Sequence, residues 1–125
     1  MCTMSGKKKA IREAFREAVF TRDNHACKVC GLSSRDLTSQ AQEAELVRLG
    51  TDEWKLDAHH ITDRNLMPNG GYCKENGVSL CPVCHGLAEV FHSTGTAVAG
   101  FSPDDLYKLI GSSHEAAVKA SERLK

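Results

Sequence analysis

The sequence predicts an α+β fold in which a strand, a loop, a second strand and a helix form a core framed by further helices. Three observations carry that reading. Apolar residues recur at helical spacing near the N-terminus, two short strand-like runs flank a segment rich in turn residues, and two CxxC pairs stand with residues 31 to 80 between them.

The first helix is expected near residues 5 to 22. In KKKAIREAFREAVFTRD, Ile11, Phe15 and the Ala18/Val19 pair recur four and three residues apart with Lys and Arg between them, which places them on one helical face. HACKVCG follows, and Gly31 closes its CxxC with the positive φ that a tight turn requires. Residues 33 to 50, SSRDLTSQAQEAELVRLG, read as a second helix stopping at Gly50. That helix is polar on most sides, as a surface insertion would be. KLDAHHI, residues 55 to 61, alternates well enough for a short strand. MPNGGYCKENG, with Pro68, Gly70, Gly71 and Asn76-Gly77, is a loop. VSLC is the second strand, and PVCHGLAEVFH leads into a helix near 84 to 92. Beyond it Ser102 is suited to cap a helix that starts at Pro103, and a last helix runs from Ser113 to the end. No internal repeat appears. The whole of 1–125 reads as one domain with its core at about 19–92 and C-terminal helices at about 102–125.

A chain of 125 residues that is 41% apolar has a thin core. Six cysteines are the candidate reinforcement. No segment couples a basic region to an apolar one as a signal peptide does, and no apolar run approaches the ~20 residues of a membrane span. A cytoplasmic chain with no membrane partner is therefore expected, and in a reducing compartment cysteine pairs more often hold metal than form disulfides. The formal charge is zero, which argues against holding nucleic acid mainly by bulk electrostatics. It is unevenly placed: residues 1–35 carry eight Lys or Arg against three acids, a local +5, and residues 36–58 carry two against six, a local −4. The N-terminal part is the candidate anion-facing surface.

Cys27, Cys30, Cys81 and Cys84 supply four thiolates, the set of a closed tetrahedral structural Zn²⁺ site. Such a site would pin the end of the first helix to the start of the last core helix and link folding to metal. A redox CxxC would need a βαβ context that is missing. Cys2 and Cys73 are left over, and Cys73 reads as an inert small residue rather than a fifth ligand or a reactive thiol.

With four sulfurs closing one site, His85 is free for another role. His59 and His60 are consecutive, so on a strand they point to opposite faces. Two different tasks are natural: one ring binding metal, the other, with an ordinary pKa of about 6.5, taking a proton from water. His85 stands at the start of a helix whose end the zinc would hold still. His25, His92 and His114 read as surface or core histidines, although His92 lies two turns beyond His85 on the same face.

VFTRDNHACKVCG, LDAHHI and GGYCKENGVSLCPVCHGLAE, taken together and in this order, resemble the HNH endonucleases. The resemblance covers roughly residues 19 to 90. It implies a ββα-metal core of two antiparallel strands and a helix around one catalytic divalent ion, and a DNA endonuclease that nicks or cuts both strands, leaving 5′-phosphate and 3′-hydroxyl ends. It implies His60 as the general base, His59 and His85 as ligands of the catalytic ion, and Asn76 as the residue that bonds backbone across the loop and keeps His60 aimed. Arg22 and Arg64 are the candidate DNA phosphate contacts.

Two protein ligands leave coordination positions open for phosphate and water. Two imidazoles favour Mn²⁺ or Ni²⁺, with Co²⁺ and Zn²⁺ also suited, over oxygen-preferring Mg²⁺. Low sequence specificity is expected, because no base-reading module is recognisable. The alternative is a non-catalytic zinc module that binds nucleic acid or protein, in which the four cysteines suffice and the histidines and Asn76 are idle.

Overall fold

The computed structural model describes residues 2–31 and 55–124, with side chains from residue 8 onward. The predicted insertion helix at 33–50 lies outside the described residues. Helix α1, Cys2–Arg22, is longer than the periodicity predicts. Phe15 and Val19 form its buried stripe, while Ala18 faces solvent. The helix ends in a left-handed turn at Asn24 and His25, φ 57° and 56°, where the His25 amide reaches back to the Phe20 carbonyl at 2.8 Å. Asn and His are among the side chains that tolerate that conformation.

Strands β1, Asp57–His60, and β2, Gly77–Leu80, pair antiparallel, with Asp57 opposite Leu80 and His60 opposite Gly77. The first is shorter than the predicted run at 55–61, and the second lies one residue earlier than the predicted VSLC. Cys81, expected in the second strand, leaves the ladder to cap the next helix, its Sγ accepting from the Cys84 amide. That helix, α2, spans Pro82–Thr94 and stops at Gly95, φ 80°.

Between the strands the chain takes three short 3₁₀ turns, Arg64–Leu66, Pro68–Gly71 and Lys74–Asn76. Asn69, Gly70 and Gly71 all have positive φ. A side chain at Gly71 would meet Asn76 Nδ2 at 2.6 Å, so glycine there admits the asparagine to the loop's interior.

Helices α3, Pro103–Leu109, and α4, His114–Glu122, complete the described chain. Ser102 and Asp105 form a reciprocal capping box with Pro103 at the first turn, and Ser113 caps α4 through the Ala116 amide. Both helices join the main apolar cluster: Leu106, Tyr107 and Ala117 pack with Ile61, Val78 and Leu80. They also hold the loop. Ser121 Oγ accepts from the Gly71 amide at 3.0 Å and donates to the Pro68 carbonyl, and Ser112 Oγ donates to the Glu75 carbonyl at 3.0 Å. No described helix is long and apolar enough to cross a membrane.

Candidate metal centres and cleft

The four cysteines named from the sequence converge. Their Sγ atoms all lie within 4.8 Å of one another, with Cys30 and Cys81 3.7 Å apart. Tetrahedral thiolate ligation at about 2.3 Å puts sulfurs about 3.8 Å apart, so the residues fit Zn²⁺. Electrostatics agree with that fit. The Cys81 thiol, donating to Cys27, lowers the Cys27 pKa and raises its own, and burial raises that of Cys84. One thiolate is thus stabilised at its neighbours' expense, a conflict that a dication removes. Cys73 stands apart, its thiol directed at the Ala117 carbonyl at 3.6 Å.

A second donor cluster lies on β1 and α2. His59, His85 and Glu89 place one donor atom each within 4.8 Å of the others. His59 is 2% exposed, and its Nδ1 has no hydrogen-bond partner; Glu89 Oε1 faces it at 3.4 Å. His85 Nε2 is 3.1 Å from both Glu89 Oε1 and Asp57 Oδ2. Burial, then the neighbouring His85, His92 and His60, push the His59 pKa down to about 3. The ring is therefore neutral, as a ligand must be. An orphaned buried nitrogen costs about 1–3 kcal/mol, and a cation between these donors would satisfy it. Two imidazoles and a carboxylate suit a divalent transition metal. Glu89 is a donor that sequence reasoning missed, although its place four residues after His85 puts both on one helical face.

His60 turns the other way, as strand alternation predicts. Its ring stacks on Phe15 of α1 at a centroid distance of 4.5 Å and meets the edge of Tyr72 at 4.9 Å. Its Nε2 is buried without a partner. Burial and then Arg64 lower its pKa, outweighing Asp57 and Asp63, so the ring stays neutral at neutral pH. His92, set aside at the sequence level, packs 5.2 Å from His59, and its Nε2 lies 3.2 Å from the His60 carbonyl oxygen.

Both histidines nevertheless line one cleft of about 390 Å³, because it follows the edge of β1 that pairs with no described strand. Asp57, Ala58, His59 and His60 form one wall; Arg12, Phe15 and Arg16 of α1, Asp63, Arg64 and Tyr72 of the loop, and His85, Glu89 and His92 of α2 form the rest. Comparison with protein-family models, with curated proteins and with solved structures finds no match for this chain. The cleft must be understood from its own residues.

Asn76 sits where the loop enters β2, wholly buried. Its Oδ1 accepts from the Thr62 amide at 3.0 Å and the Tyr107 hydroxyl at 2.7 Å, and its Nδ2 donates to the carbonyls of Thr62 at 3.0 Å and Gly71 at 3.3 Å. It bonds backbone across the loop, as expected of it, and so holds the chain that leaves His60.

The two arginines named from the sequence differ. Arg64 lines the cleft. Arg22 does not: its guanidinium bonds Asp23 at 2.7 and 2.8 Å and the carbonyls of Lys74 and Gly77 at 2.6 and 2.7 Å. It ties α1 to the hairpin. Arg12 and Arg16 are the α1 arginines at the cleft, and their spacing of four was the available signal.

Proposed function

We propose that the protein is a metal-dependent endonuclease that hydrolyses DNA phosphodiester bonds with low sequence specificity. One observation carries the reading. Among the described residues, the buried side-chain polar atoms without hydrogen-bond partners are His59 Nδ1 and His60 Nε2, on consecutive residues beside one cleft. Such unpaired atoms are rare in native proteins, and a catalytic role or a bound ion is among the explanations for them.

In this scheme His59, His85 and Glu89 hold the divalent ion. When bound, that ion supplies positive charge to the scissile phosphate and to the departing 3′ oxygen. His60, kept neutral by burial and by Arg64, accepts a proton from the attacking water. Phe15 and Tyr72 fix its ring, and Asn76 fixes the loop behind it. Cys27, Cys30, Cys81 and Cys84 hold a structural Zn²⁺ that keeps α1 and α2 in place around the cleft.

The test is incubation of supercoiled plasmid with the zinc-loaded protein and Mn²⁺, Ni²⁺, Co²⁺, Zn²⁺ or Mg²⁺, with His60→Ala alongside. Relaxed or linear product with Mn²⁺ or Ni²⁺ above Mg²⁺, lost in His60→Ala at unchanged zinc content, is the expected result. No product with any ion sinks the nuclease reading and leaves the non-catalytic zinc module in its place. Undiminished cleavage by His60→Ala removes that residue from the mechanism.

A further inference from the structure

Arg12 of α1 and Arg64 of the loop are far apart in sequence and come together at Tyr72. Arg64 Nη1 lies 3.5 Å from the Tyr72 hydroxyl, and Arg12 lines the same cleft. Burial would raise the pKa of this phenol, yet the two guanidiniums hold it below its ordinary value. Neither arginine carries an ion pair to a carboxylate among the described residues. Asp63 also lines the cleft and attracts Arg64, and it caps its own turn by accepting from the Asn65 amide at 2.9 Å. Two like charges in one cleft repel each other, and an anion placed between them relieves that repulsion.

The cationic line continues beyond the clamp. Arg12 and Arg16 line both the cleft and an adjoining groove, where Lys8 and Lys9 join them beside a single acid, Glu13. Lys8, Arg12 and Arg16 are four residues apart, which gives one cation about every 6 Å along α1. Such a row matches the regularly charged backbone of a nucleic-acid strand rather than a single small anion.

We propose that Arg12 and Arg64, which line the cleft with Tyr72, form a phosphate clamp there, and that Arg16, Lys8 and Lys9 extend it into a track for the backbone of duplex DNA. The clamp rests on the nuclease reading only for which phosphate it holds, the one next to the scissile bond. Its contacts are to backbone, so it sets position and affinity but not sequence preference.

Anisotropy of a short fluorescein-labelled duplex, titrated with zinc-loaded His60→Ala protein without added divalent ion, measures binding apart from cleavage. Adding Arg12→Gln or Arg64→Gln should weaken binding up to about tenfold at 0.1 M salt, equally on unrelated sequences. Each should also lower the slope of log affinity against log salt by about one. Arg123→Gln, remote from the cleft, should leave both unchanged. Binding that is absent, insensitive to salt, or equally weakened by all three substitutions overturns the clamp. Salt-sensitive binding lost in the arginine variants, with no plasmid cleavage by the wild type, sinks the nuclease reading and leaves the clamp. Cleavage whose KM and salt dependence ignore Arg12→Gln and Arg64→Gln does the reverse.

Discussion

The ring of Phe15 lies over the ring of His60, planes 26° apart, and the bare backbone of Gly77 gives it room to do so. A methyl group at Gly77 would stand 2.5 Å from Val19 Cγ2 and 2.7 Å from Phe15 Cε1. Gly77→Ala must therefore push α1 off the hairpin. A loss of about 1–3 kcal/mol in stability is expected, together with a fall in cleavage rate at temperatures where the variant remains folded. Thermal melts and plasmid assays on one preparation check this; a variant as active and as stable as wild type would show that α1 does not set the His60 ring.

Cys81 stands in two arrangements, the four-cysteine cluster that fits Zn²⁺ and the cap of α2. Cys81→Ser keeps an oxygen that can cap but removes a thiolate. The expected outcome is loss of bound zinc, measured by elemental analysis, with a large drop in melting temperature, whereas Cys73→Ser retains the metal. Chelation of wild-type protein should reproduce the Cys81→Ser melt.

Glu89→Gln keeps the size of the side chain and removes its charge. Mn²⁺ affinity of the zinc-loaded His60→Ala protein, followed by calorimetry, should fall by at least about tenfold. An unchanged affinity would leave His59 and His85 as the ligand pair and give Glu89 no part in the site.

Asp23 is 5% exposed, and its Oδ2 accepts from the Ser79 amide at 3.0 Å as well as from Arg22. Burial alone would raise its pKa, but the bonds from Arg22 and Ser79 prevail and hold it below the ordinary carboxylate value. A depressed folded pKa stabilises the fold above the unfolded pKa and ceases to do so as pH falls through the folded one. Asp23→Asn should therefore be less stable than wild type at neutral pH. In urea titrations the gap should persist down to the ordinary carboxylate range and close only below it.

The four-cysteine cluster, the two strands, the capped helices and the opposed faces of His59 and His60 were legible because each depends on local spacing. The CxxC pairs, the alternation of KLDAHHI and the Ser102-Pro103 start are short-range signals, and the chain folds as they specify. What escaped depends on distant partners. Arg22 read as a free cation until the carbonyls of Lys74 and Gly77 were beside it. Tyr107 had no visible role because its hydroxyl meets Asn76 across 31 residues. Glu89 lay between, its spacing visible but its meaning dependent on where β1 brings His59.

The order of translation follows from how the loop is held. A ribosome adds His59, His60, Asn76 and His85 before it adds Tyr107 and Ser121, the residues that fasten the loop through Asn76, Pro68 and Gly71. A nascent chain bearing every cleft residue thus lacks its fasteners until residue 121 has emerged. Because a domain folds as a unit, a chain interrupted before residue 121 would carry the cleft residues without the bonds from Ser121 that hold the loop.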